Sequence, residues 1–442
     1  MKNKLLPFII LGICFSLSSC YPELKEKDIK AGSADFSRYV AVGNSLTSGY
    51  ADGALYKEGQ INSFPKMLSE QFELVGGGLF KIPYMESGGG NDGSNSPRRV
   101  LGYATSCMGE TSLSPVFTTE KYTPLNNVKA AGPYNLVGVP GARAIDANLG
   151  LYSLLNPFLN RFCSTPGISS IISEATRINP TFFTFWLGNN DVLGYAMGGA
   201  VPPQNIFSAS LSDENLFRSS IQTSLESLTK NGAKGAIANI PNVTSIPYFT
   251  TIPWNGVKLT QGKADTLNAL YNQLGITNIT WTEGNNGFVI VDSAAPNFIR
   301  KATANDLIIL STPSDSLKCG QWGVHPLKPL KDAYVLDENE VNEIVNHTAK
   351  LNAIISEYAN TFDLALVDMN TFMKSLKSGM VYNGVSYSAV FVTGGGFSLD
   401  GVHPNPRGYA MVANEFIKSI NQKYGAQIPM VNANKYKGVL FP

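Results

Sequence analysis

Three side chains near opposite ends of the chain have the types that nucleophilic acyl transfer needs. Ser45 sits in Gly43-Asn44-Ser45-Leu46, and Asp400 and His403 share Asp400-Gly-Val-His403-Pro404 close to the C-terminus. A hydroxyl attacks well only when a base takes its proton, and an imidazole base needs an anion to orient it and stabilise its cation. The choice of base is narrow, because the chain has only three histidines, His325, His347 and His403. His325 repeats the Gly-Val-His-Pro context but has no aspartate three residues upstream, and His347 falls within a predicted helix with its ring toward solvent. Each residue also has a purely structural reading. Ser45 would serve as a helix N-cap, Asp400 and His403 as a hydrogen-bonded loop pair, and Asn190 with Asp191 as a turn. No HExxH-type spacing occurs, so neither a metal nor another cofactor is expected.

The elements that must position these groups follow from the hydrophobic pattern. Apolar runs predict strands at 38–43, 135–139, 181–187, 235–240, 288–292 and 364–368. Helical spacing predicts helices over 63–72, 168–178, 213–231, 338–358 and from Pro406 onward. The 213–231 segment is expected to bury Leu216, Phe217, Ile221, Leu225 and Leu228, with Gly232 as its stop. Alternating strands and helices imply an α/β fold, with a mainly parallel sheet covered on both faces. Chemistry in such sheets gathers at the carboxyl ends of the strands. Ser45, Gly141 and Gly188-Asn-Asn-Asp191 each follow a predicted strand. Two stretches break the rhythm, 84–127 and 302–337, and are read as ordered insertions shaping the mouth of a pocket.

With 43% hydrophobic residues the chain can bury a large core, and its net charge of +1 gives no electrostatic reason to expect nucleic acid. Lys2 and Lys4 precede an apolar run from Leu5 to Leu17 that is too short to span a membrane. The following Leu17-Ser-Ser-Cys20 resembles a bacterial lipobox. Residues 1–19 are then a signal peptide, and 20–33 a lipidated N-terminus (at Cys20) and linker. The body at 34–442 would be tethered in the cell envelope, at the outer membrane or cell surface. Cys107, Cys163 and Cys319 remain, an odd count that allows at most one intramolecular disulfide. Cys107 with Cys163 is the expected pair. Arg143 has two readings, an exposed surface residue or a contact to an anionic or sugar substrate.

Four blocks in order, Gly43-Asn44-Ser45-Leu46, Val139-Pro-Gly141-Ala, Gly188-Asn189-Asn190-Asp191 and Asp400-Gly-Val-His403, resemble the SGNH (GDSL-type) hydrolase family. The resemblance implies a three-layer αβα, flavodoxin-like fold and a serine esterase, lipase or acylhydrolase that needs no cofactor. It implies Ser45 as nucleophile, His403 as base and Asp400 as the orienting anion. The oxyanion hole would comprise the N–H groups of Ser45 and Gly141 and the Asn190 amide. Asn44 departs from the family pattern, where aspartate is usual. Substrates would be small-molecule, carbohydrate or lipid esters. The competing expectation is a catalytically silent surface lipoprotein that binds a glycan or lipid on the same scaffold.

Overall fold

Five of the six apolar runs read as strands join one sheet. The computed structural model describes residues 28–202 and 209–442; the signal segment 1–19 and the expected lipidation residue Cys20 lie outside the described residues. Strands β1 (Tyr39–Gly43), β2 (Leu136–Gly138), β3 (Phe182–Trp186), β4 (Lys234–Ala238) and β5 (Ala365–Val367) pair in parallel, in the order β5-β4-β3-β1-β2. Every residue of β1 and β3 is buried, because a strand covered on both faces has no solvent side to make polar. The order is that of flavodoxin-like sheets, and its reversal between β1 and β3 opens a crevice at their carboxyl ends.

Helices α1 (Ser45–Ser48), α2 (Phe64–Glu73), α3 (Ile171–Thr176), α4 (Asn190–Met197), α5 (Glu214–Thr229), α6 (Glu338–Thr361), α7 (Met369–Ser378) and α8 (Pro406–Tyr424) follow the strands. On one face α2 packs against α8, where Phe64 and Phe416 stack with centroids 4.9 Å apart and both rings meet Trp186. On the other, α3, α5 and α6 lie together against the sheet. Asp213 caps α5 through the Asn215 and Leu216 N–H groups, and Asp337 with Glu340 forms a capping box on α6. The α5 stripe buries Phe217, Ile221, Leu225 and Leu228, but Leu216 is exposed; one residue from Phe217, it is turned about 100° away around the helix. His347 does not face open solvent as its position suggested. Its Nε2–H donates to the Ser212 carbonyl at 2.9 Å, joining α6 to the segment before α5.

The run at 288–292 does form a strand, but outside the sheet. Val289–Val291 pairs antiparallel with Ile299–Lys301. It belongs to a second core, built between β4 and α6, that includes Tyr271, Trp281, Phe288, Ile290, Ile308 and Leu330. The 84–127 insertion carries an antiparallel hairpin, Arg99–Thr105 with Thr111–Phe117. Its tip is bonded to the second insertion by a disulfide between Cys107 and Cys319, 212 residues apart. The expected Cys107–Cys163 pairing is therefore wrong: Cys163 is a free thiol buried in the main core. Sequence spacing carried no information about which loop meets which.

Candidate active site

Ser45 begins α1 immediately beyond β1, in a turn that admits almost no extra atoms. A Cβ on Gly43 would collide with the Thr47 hydroxyl and the Trp186 carbonyl, and one on Gly138 with the backbone of Ser48. Asn44 caps α1 by accepting the Leu46 N–H at 3.0 Å, and its Nδ2 donates to Asn189 Oδ1 at 3.3 Å. Aspartate would keep the cap but has no N–H for Asn189. The asparagine thus ties the serine turn to the turn after β3.

His403 is placed from the other end of the chain. Asn405 caps α8 through the Gly408 N–H at 3.0 Å, while its Nδ2 holds the Gly395 and Phe397 carbonyls. The loop before α8 is thereby fixed, and His403 Nε2 lies 2.9 Å from Ser45 Oγ. On the opposite ring edge, Nδ1 lies 2.9 Å from Asp400 Oδ2. Asp400 also accepts from Gly53 N (2.9 Å), Val402 N (2.8 Å), His403 N (2.8 Å) and Ser398 Oγ (3.0 Å). Burial would raise this carboxyl. The His403 ring and the backbone N–H groups outweigh it and hold Asp400 well below the usual carboxylate range. Tyr50 packs on the imidazole with ring centroids 4.8 Å apart.

Sequence reasoning missed the residues that clamp this loop. Asp52 accepts from Leu399 N at 2.9 Å and from Tyr56 OH at 2.8 Å, and its own N–H donates to Ser398 Oγ at 3.0 Å. Asp52-Gly53 is visible as a turn signal seven residues after Ser45, but nothing local names its distant partner.

Gly141 and Asn190 line the same cleft as Ser45 and His403. Gly141 has φ +82°, a backbone conformation that side chains strain, and Asn156 Nδ2 holds the adjacent Pro140 carbonyl at 2.8 Å. Among the described residues neither Ser45 N–H nor Gly141 N–H has a partner. Asn190 donates one amide hydrogen to the Ala142 carbonyl at 2.9 Å, which leaves the other. Beneath this loop the buried Asp191 accepts the Ala144 N–H at 2.6 Å, and burial pushes its carboxyl up to about 6. Arg143 is engaged in a two-pronged pair with Asp146, at 2.9 and 3.1 Å. His325 only accepts the Leu327 N–H at 3.2 Å and lines no part of the cleft.

The Ser45–His403 pair stands between two unlike spaces. One is a narrow apolar pocket of about 80 Å³, walled by residues that include Trp186, Met369, Phe372, Met373, Leu376 and Phe397. The other is an open cleft of about 910 Å³, whose rim comes from both insertions, at Asp92, Arg99, Ser114 and at Ser311–Ser314. No group of three or more histidine, cysteine, aspartate or glutamate side chains among the described residues could hold a metal ion. No helix among them is long and apolar enough to cross a membrane.

No curated protein matches the chain. A solved structure, the extracellular lipase from Streptomyces rimosus, is similar over 87% of this chain and 98% of that one, at 13% identity and a TM-score of 0.33. A family model, described as GDSL-like lipase/acylhydrolase, matches residues 39–416. That match spans the sheet, the serine turn and the histidine loop, and the chain belongs to the GDSL-like lipase/acylhydrolase family.

Proposed function

We propose that the protein is a serine esterase that cleaves carboxylic esters through an acyl-enzyme. The observation that carries this reading is the continuous hydrogen-bonded line from Ser45 Oγ through His403 to Asp400, with both links at 2.9 Å. In this reading Ser45 Oγ attacks the ester carbonyl as His403 Nε2 takes its proton. The oxyanion is held by Ser45 N–H, Gly141 N–H and the free amide hydrogen of Asn190; losing one such donor typically costs about 3–4 kcal/mol of transition-state stabilisation. The imidazolium returns its proton to the leaving alkoxide, and a water repeats the sequence to release the acid. Asp400 stays ionised throughout and stabilises the imidazolium.

The two spaces suit the two halves of such a substrate. The acyl group stays bound through both half-reactions, and a narrow apolar pocket favours a hydrocarbon chain there. The alcohol must leave and water must enter, which favours the open cleft and allows a glycerol- or sugar-sized alcohol. The lipobox-like segment ending at Cys20 supports an envelope lipoprotein acting on glycan or lipid esters near the membrane.

A fluorophosphonate probe and p-nitrophenyl butyrate test the reading together. The native protein is expected to turn over the ester and carry one adduct, at Ser45. Ser45→Ala should lose both while keeping its thermal transition. Unchanged turnover by Ser45→Ala, or an adduct elsewhere, would overturn it. Fatty-acid labelling in cells that is lost in Cys20→Ala would establish the anchor; equal labelling would exclude it.

A further inference from the structure

We infer that Arg99 selects esters whose alcohol half carries an anionic group. The inference rests on the proposed esterase reading and adds the chemistry of the leaving side. Arg99 opens the hairpin of the first insertion and lines the cleft that Ser45 and His403 also line. Its backbone N–H donates to the Asp52 carbonyl at 2.8 Å, which seats it against the clamp around Asp400. The guanidinium fits over Gly53, where a Cβ would lie 2.5 Å from Nη1, and Gly53 N–H in turn holds Asp400 Oδ2. The Phe117 ring lies 5.4 Å from its guanidinium carbon and supports it from the other strand of the hairpin.

Among the described residues this guanidinium has neither a hydrogen-bond acceptor nor a carboxylate. Every other arginine there has at least one. Asp92 shares the cleft but is committed elsewhere: its Oδ1 accepts from Ser94 N and Ser96 N, and its Oδ2 from Ser94 Oγ. Arg143, whose position just after Gly141 had suggested anion binding, is neutralised by Asp146. The rigid planar fork of an arginine matches a carboxylate or phosphate with two parallel hydrogen bonds. A stacked, unpaired arginine in a cleft whose two carboxylates, Asp92 and Asp400, are both held by other donors is therefore a receptor for such an anion. The acyl pocket offers an anion no donor of this kind, so the charge belongs on the alcohol.

The experiment compares 1-butyrylglycerol with two anionic counterparts, 1-butyrylglycerol 3-phosphate and 3-butyrylglycerate, on native protein, Arg99→Gln and Arg99→Lys. The native protein should prefer at least one anionic ester, with the preference falling as NaCl is raised. Arg99→Gln should lower the anionic-to-neutral ratio of kcat/KM by about tenfold or more, carried by KM, as expected for a lost charged hydrogen bond. Arg99→Lys should recover part of the ratio, since it keeps the charge and loses the fork. A ratio that does not move in Arg99→Gln, with folding intact by thermal melt, overturns the inference. Failure of the esterase reading is separate: it shows as turnover surviving in Ser45→Ala, whatever Arg99 does.

Discussion

Asp400→Asn is isosteric and changes one atom of the proposed triad, and the structure says what it should cost. The carboxylate accepts five hydrogen bonds, three at Oδ1 (Ser398 Oγ, Val402 N, His403 N) and two at Oδ2 (Gly53 N, His403 Nδ1). An amide can keep the first three with its oxygen, but its NH₂ then faces two donors. The imidazole can escape only by moving its proton to Nε2, where it points at Ser45 Oγ and cannot accept. The rate should fall about 10⁴-fold, or roughly 5 kcal/mol of barrier, as in a serine triad locked in the wrong tautomer. Gly53 N–H, left without an acceptor, adds about 1–3 kcal/mol of destabilisation. The pH dependence has a definite sign. Since the folded carboxyl sits below its unfolded value of about 3.9, its stabilisation is complete above pH ~4 and fades as pH falls further. The assay is p-nitrophenyl butyrate turnover, with urea midpoints at pH 7 and near pH 3. A variant within tenfold of native turnover, or a stability gap that widens in acid, would refute the reasoning.

Three further outcomes are expected. Along a p-nitrophenyl ester series, kcat/KM should rise about fourfold per methylene, from roughly 0.8 kcal/mol per buried CH₂, until the narrow pocket fills; Met373→Trp should bring that break to a shorter chain. Asp191 has its folded carboxyl pushed up to about 6 against roughly 3.9 unfolded, so ionising it favours the unfolded chain and native stability falls between pH ~4 and ~6. Asp191→Asn, which can still accept the Ala144 N–H, should then be at least as stable as native at pH 7.5 and lose that advantage at pH 4. Replacing Cys107 and Cys319 together by serine should cost about 2–4 kcal/mol in urea unfolding; a midpoint unchanged from native would show the cross-link to be dispensable.

The parts of this molecule legible in sequence are those that local chemistry dictates. A strand buried on both faces must be continuously apolar, so Tyr39–Gly43 and Phe182–Trp186 were readable as sheet interior. The groups brought to 2.9 Å from each other, Ser45 with His403 and His403 with Asp400, announce themselves by residue type beside a turn. What stayed hidden is pairing at a distance. Val289–Val291 has the same apolar character as a sheet strand, yet its edge is taken by Ile299–Lys301, and no local pattern distinguishes the two partners. The hairpin Arg99–Phe117 contains Gly102 and Pro115, residues that usually argue against a strand interior; it persists as an isolated two-stranded ribbon. Asp52 looked like any turn aspartate until the loop at 398–400 closed on it.

Strand ends hold Ser45, Gly141 and Asn190, and the loop before α8 holds Asp400 and His403, whereas the rim of the open cleft is donated by two excursions from the α/β frame. Reaction and selectivity therefore reside in separable stretches of polypeptide. Exchanging the tip of the ribbon and its cross-linked counterpart for other lengths or charges, with the Arg99 contact to Asp52 kept, offers a route to new alcohol preferences in the proposed reading, and drift in those stretches would let close descendants diverge in substrate while sharing one chemistry.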